Sequence, residues 1–157
     1  MDIILLLGVF LVPLFALLDY FLYPAQWRTF LIYRMIASGG CLILWAVNRS
    51  REWGDQNFYL GLTAFYLVGG IIIKMILDLD SLSTPYYAGL NLVFIGFCLL
   101  LPVRTSRTFL HTLVLYAIYL TLTLTMNWPH YDFVLLANNL FVVATLVIAY
   151  VGAHTNM

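Results

Sequence analysis

The stretch "PYYAGLNLVFIGFCLLLPVR", residues 85–104, decides the fold class of this chain. Its middle is a long apolar run, whereas two tyrosines and an asparagine lie near its beginning and an arginine closes it. A bilayer core of about 30 Å is crossed by roughly 20 apolar residues in a helix. The stretch therefore predicts a membrane-spanning helix with most of its polar side chains at one end.

The composition of the whole chain points the same way. Hydrophobic residues make up 64% of the 157 residues, charged residues make up only 9%, and the mean hydropathy is +0.97. A water-soluble domain of this length needs many more charged residues to cover its surface. The formal net charge is zero, so nothing indicates a nucleic acid partner. We predict an integral membrane protein whose principal partner is the lipid bilayer.

Six apolar stretches have the length of a membrane span, near 3–23, 28–48, 57–77, 86–103, 108–127 and 132–152. The segments between them are short, so consecutive helices must be antiparallel neighbours. We predict an all-α, polytopic bundle of six transmembrane helices that forms a single domain over residues 1–157. Both cysteines, Cys41 and Cys98, lie inside apolar runs, which favours buried free thiols over a disulfide.

The basic residues of the short loops predict the orientation. The second and fourth loops carry four arginines on one side of the membrane: Arg49, Arg51, Arg104 and Arg107. The loops on the opposite side carry Arg28. Since short cytoplasmic loops are enriched in Lys and Arg, the first side should be cytoplasmic, with both termini.

Most of the polar side chains within the predicted spans fall in their outer halves. An ionisable group at the centre of a bilayer costs about 2.5–3.5 kcal/mol, so such groups pair or line a wet cavity. One hypothesis is an outward-facing pocket for a small ligand, lined by Asp19, Arg34, Lys74, Tyr86, Tyr87, Asn91, Asn138 and Asn139. The alternative is structural: Asp19 pairs with Arg34, Lys74 pairs with Asp78, and the remainder reach the headgroups or join helices.

Small residues predict where helices approach closely. "SGGC" at 38–41 and "GG" at 69–70 give the second and third helices smooth faces. In membranes, such faces allow two helix backbones to pack tightly.

Two further functions stay open at this stage. His111 and His154 fall at similar depth on the last two helices, where they could bind both axial positions of a b-type haem, so a membrane cytochrome is one alternative. "RTFL" occurs at 28–31 and at 107–110, so a small transporter built on an inverted repeat is a second. Motifs of soluble hydrolases, phosphate-binding loops and zinc enzymes are absent from the sequence, which favours a non-enzymatic protein.

Three stretches together resemble a known family: "LDYFLYP" (18–24), "YYAGLNLVFIGFCLLLP" (86–102) and "NNLF" (138–141). They are similar to the six-helix membrane input region of bacterial membrane-anchored class III adenylate cyclases and of histidine kinases, including hybrid ones. The shared motif positions are Tyr86, Tyr87, Asn91, Asn138 and Asn139.

The resemblance implies a sensor or receptor in a bacterial inner membrane. It implies a homodimer that binds a small molecule or cofactor and passes a signal along the sixth helix. The receiver would be a cytoplasmic cyclase or kinase domain fused to the natural protein, and this chain ends at "AHTNM" without one.

Overall fold

The computed structural model describes residues 2–50, 57–79, 84–100, 105–126 and 133–155. Within these ranges the chain is helical and contains no strand, which confirms the all-α prediction. The helices are α1 Asp2–Leu14, α2 Ala16–Leu22, α3 Trp27–Ser50, α4 Asn57–Leu77, α5 Tyr86–Leu100, α6 Thr105–Met126 and α7 Phe133–Thr155.

Five helical segments are long and apolar enough to cross a membrane: Asp2–Leu22, Trp27–Ser50, Phe58–Leu77, Arg107–Thr125 and Leu135–Gly152. The sixth candidate, α5, has 15 described residues. At 1.5 Å per residue it is about 22 Å long, which is shorter than a bilayer core. Its predicted end at residue 103 lies outside the described residues, as do Arg51 and Arg104. The orientation of the termini stays a prediction.

The first predicted helix, 3–23, corresponds to the span Asp2–Leu22, which the structure interrupts at Phe15. The cause is Pro13 in the last turn of α1. Proline has no backbone N–H and its ring crowds the preceding turn, so a helix commonly kinks or breaks there. The chain resumes as α2 one residue after α1 ends.

The chain divides into two compact units, Met1–Ile71 and Ile72–Met157, with the boundary inside α4. In the first unit, α1 and α2 both pack against α3. The buried residues of α3 lie three or four positions apart, except for one adjacent pair: Phe30, Arg34, Ala37, Ser38 and Cys41. This spacing is the stripe expected of a helix that buries one face.

Glycines allow two close approaches within the first unit. A Cβ on Gly8 would lie 2.7 Å from the sulfur of Cys41, and a Cβ on Gly40 would collide with the side chain of Leu67. The close packing predicted for "SGGC" is therefore confirmed at Gly40. Gly39 and Gly70 face open space instead.

In the second unit, α5, α6 and α7 all contact one another. The sulfur of Cys98 lies 3.6 Å from the hydroxyl oxygen of Thr112, which joins α5 to α6. The rings of Phe109 and Tyr150 are 4.6 Å apart between centroids, which joins α6 to α7. These contacts fix the register of the three helices. That register determines which polar side chains of α5, α6 and α7 lie at the same level.

Candidate functional site

A buried ion pair joins the two sides of the helical hairpin in the first unit. The Arg34 guanidinium donates from Nε to Asp19 Oδ2 at 2.5 Å and from Nη2 to Asp19 Oδ1 at 2.8 Å. The Asp19 side chain is fully buried and that of Arg34 is 7% exposed. Two parallel N–H···O bonds are the strongest arrangement for this pair of residues, so the pairing predicted from the sequence is confirmed.

The break in the first span supplies acceptors to the same face of α3. In an unbroken helix the Val9 carbonyl would accept from residue 13, but Pro13 has no N–H. The hydroxyl of Ser38 donates to that carbonyl at 2.8 Å. A little further along, Arg34 Nη1 donates to the Val12 carbonyl at 3.4 Å. Ser38 thus satisfies the carbonyl that the proline releases, and Arg34 bonds to a second carbonyl beside the break.

The other predicted pair has a different character. Lys74 and Asp78 form an ion pair across one turn at the end of α4, and the Lys74 side chain is 55% exposed. Ion pairs between exposed side chains contribute little to stability. This pair is confirmed as a contact between neighbours on one helix.

Asn138 and Asn139, side by side on α7, face different surroundings. Asn139 Oδ1 accepts from the hydroxyl of Tyr116 on α6 at 3.1 Å, and its Nδ2 donates to the Leu135 carbonyl at 2.8 Å. Asn138 is buried, with 6% of its surface exposed. An interhelical hydrogen bond of this kind holds α6 and α7 in one register inside an apolar environment.

On α5, the side-chain amide oxygen of Asn91, Oδ1, is buried and has no hydrogen-bond partner. The described residues contain one other such side-chain oxygen, Gln26 Oε1, in the turn that leads into α3. Of the two tyrosines that open α5, Tyr86 is buried and Tyr87 is half-buried. Buried acceptors in native proteins are normally satisfied, so the Asn91 oxygen requires an explanation.

Helix register places Asn91 of α5 level with Tyr119 of α6. Cys98 and Thr112 are in contact, and stepping seven residues from each, away from the loop that joins them, reaches Asn91 and Tyr119. Seven residues are almost two helical turns, so both side chains keep nearly the facing direction of that contact. Tyr119 is 2% exposed. Its ring lies 6.2 Å from that of Tyr116.

We name these side chains the polar band: Asn91 on α5, Tyr116 and Tyr119 on α6, and Asn138 and Asn139 on α7. The sequence predicted the three asparagines but missed the two tyrosines. A signal was present, because "YAIY" (116–119) places two phenols on adjacent positions of one helix face. Ser38 was also missed as a polar contact, since serine among small residues suggested only close packing.

The structure brings together two separate sets among the predicted site residues. Asp19 and Arg34 meet in the first unit, whereas Asn91, Asn138 and Asn139 belong to the polar band of the second. Lys74 pairs with Asp78 and is exposed. A common pocket for all eight residues stays a prediction.

The predicted haem ligands lie near the other end of α6 and α7. The ring of His154 packs edge-on against Tyr150, 6.1 Å between centroids, and His111 is half-buried on α6. The Phe109–Tyr150 contact places His111 level with position 148, six residues from His154, or about 9 Å along the helix axis. The haem hypothesis stays a prediction, which an absorption spectrum of the purified protein tests.

Comparison with known proteins assigns the family. The model of the MASE8 family, a family of membrane-associated sensor domains, matches residues 17–156, a range that begins in α2 and includes most of both units. Searches of curated proteins and of solved structures gave no match. The match confirms the resemblance to a membrane input domain. The chain belongs to the MASE8 family of membrane-associated sensor domains.

Proposed function

We propose that this chain is a non-enzymatic receptor module that binds a small molecule at the polar band and transmits the event through α7. The observation that carries the proposal is the Tyr116–Asn139 hydrogen bond, which links α7 to α6 beside an acceptor on α5 that lacks a donor. A molecule that satisfied this acceptor would favour one packing of the three helices over another.

The transmitted signal needs only a modest free-energy difference. Coupling between two sites in a switch is typically about 1–3 kcal/mol. One hydrogen bond between membrane helices contributes about 0.6 kcal/mol on average and up to about 1.7 kcal/mol. Rearrangement of one or two bonds in the polar band is therefore sufficient to shift α7.

The wider setting of the proposal follows the family resemblance. The module acts as a homodimer in a bacterial inner membrane, with α7 leading to a cytoplasmic cyclase or kinase domain of the natural protein. The family match to a membrane-associated sensor domain supports a sensory role.

The test joins the full chain, through its C-terminus, to a cyclase catalytic domain that is active only as a dimer. Removing the α6–α7 bond by Tyr116→Phe or Asn139→Leu should change cyclic AMP output about threefold at equal membrane abundance, because the bond biases the position of α7. Asn48→Leu is the matched control, since Asn48 bonds to Asp2 within the first unit and is not a member of the polar band. Equal output from all four proteins would overturn the proposal.

A further inference from the structure

We propose that the polar band binds a lipophilic phenol, whose hydroxyl donates a hydrogen bond to Asn91 Oδ1. This inference deepens the proposed function, on which it rests, by naming the chemical class of the ligand.

The unsatisfied oxygen of Asn91 determines which chemical group the ligand must carry. Asn91 Oδ1 is buried, accepts no hydrogen bond, and points at no donor within the described residues. In an apolar interior an unpaired acceptor is unfavourable because it has lost its water without replacement. The complementary ligand group is a donor, and a hydroxyl supplies one.

The side chains of the polar band carry no charge. Every member of the polar band is an amide or a phenol. The nearby described residues of α5 are apolar, with Leu90 and Phe94 fully buried. A charged ligand would lose its hydration without finding a counter-charge in the band. The ligand is therefore neutral.

The tyrosine rings of the polar band favour a planar aromatic ligand. The rings of Tyr116 and Tyr119 are inclined at 37° with centroids 6.2 Å apart, so the part of α6 that the register places level with Asn91 is aromatic. Aromatic rings prefer offset or edge-on contacts with other aromatic rings. A planar aromatic body that carries the hydroxyl directly, as in a phenol, meets both requirements.

The exposed apolar face of α5 offers the ligand a route of entry from the bilayer. Asn91 lies at the edge of the exposed face of α5, since Ala88 and Leu92 are exposed while Leu90 and Phe94 are buried. The exposed face is apolar, as expected of a surface in contact with lipid. The acceptor itself is buried beneath this edge, so a molecule that partitions into the bilayer reaches it by displacing neighbouring side chains, which explains why the ligand should be lipophilic.

The experiment compares two probes, p-hexylphenol and its methyl ether p-hexylanisole, in which a methyl group replaces the donor hydrogen. Stabilisation against thermal unfolding is measured for the full chain in lipid nanodiscs. We expect the phenol to reach half of its maximal effect at a concentration about fivefold lower than the ether, because one hydrogen bond distinguishes them. Asn91→Leu and Asn91→Ala should both abolish this preference, and Asn48→Leu should retain it.

Equal effects of the two probes on the wild-type chain would overturn the proposal. A preference for the phenol that survives in both Asn91 variants would do the same. The cyclase fusion separates this result from the proposed function. A phenol that binds through Asn91 without changing cyclic AMP output supports the ligand class and contradicts the sensor. Cyclic AMP output that responds to Tyr116→Phe, together with equal effects of the two probes, supports the sensor and contradicts the ligand class.

Discussion

The ion pair of the first unit and the polar band of the second are both polar groups buried among apolar helices, yet they differ in completeness. At the ion pair, the carboxylate of Asp19 meets the guanidinium of Arg34 along two bonds, and released backbone carbonyls take further donors. In the polar band the groups are neutral, and the oxygen of Asn91 has no donor. A saturated network holds a structure together, whereas an unsaturated one can accept a ligand.

The difference also separates stability from function. Buried charges in a membrane interior are tolerated only when they are paired, so substitution of either partner alone should strongly destabilise the protein. Neutral side chains carry a smaller desolvation cost, and one of them can remain unpaired until a ligand arrives. We therefore expect substitutions in the two regions to change stability by different amounts and in different directions.

The largest effect should come from Arg34→Ala. It leaves the Asp19 carboxylate buried without its partner, and breaking a buried pair in this way costs about 3–5 kcal/mol. The free energy of unfolding, measured in mixed micelles, should fall by that amount. The double variant Asp19→Leu, Arg34→Met is the control and should recover much of the loss, because no uncompensated charge remains. A single variant as stable as the wild-type chain would contradict the pairing.

Asn91→Leu should act in the opposite direction. It replaces an unsatisfied acceptor with an apolar side chain of similar size, which should stabilise the ligand-free protein by about 1 kcal/mol. The same measurement on Asn139→Leu provides the contrast, since that substitution breaks existing bonds and should destabilise. If both asparagine variants lost stability, Asn91 would have a partner in the membrane and the comparison between the two regions would fail.

The α6–α7 bond should have a smaller effect, which a double-mutant cycle measures. Tyr116→Phe, Asn139→Leu and the combined variant should give a coupling energy of about 0.6 kcal/mol, and at most about 1.7 kcal/mol. A coupling energy of zero would mean that the two side chains do not interact.

Lys74→Ala should have the smallest effect. Its ion pair with Asp78 is exposed and lies within one helix, so its loss should change stability by less than about 0.5 kcal/mol. A loss comparable to that of Arg34→Ala would show that Lys74 belongs to a buried network.

The sequence predicted particular elements well because the bilayer restricts what a chain can do. Backbone groups in lipid must be satisfied locally, so long apolar runs become helices, and α4 has the bounds predicted for it. The break at Phe15 was missed because Pro13 sits in a run so apolar that length alone suggested a continuous span. Proline in a membrane helix is tolerated when neighbouring side chains satisfy the released carbonyls, and those neighbours are distant in sequence.

The same distinction applies to the candidate site. Asp19 and Arg34 could be paired from the sequence because two opposite charges at similar depth on adjacent helices have a strong reason to meet. The spacing of Tyr116 and Tyr119 indicates only that they share a helix face; it does not assign them to the polar band, because tyrosine in a membrane span is equally suited to packing and to hydrogen bonding.

The sequence by itself determined the membrane environment, the helices and the concentration of polar side chains toward one end of their spans. These properties follow from composition and depth, since the transfer of each residue into lipid depends chiefly on its own chemistry. Only the tertiary structure decided that the Asp19–Arg34 ion pair is saturated with hydrogen bonds while the polar band keeps an unpaired oxygen on Asn91. Hydrogen bonding depends on the direction and spacing of two partners, and helix register sets both.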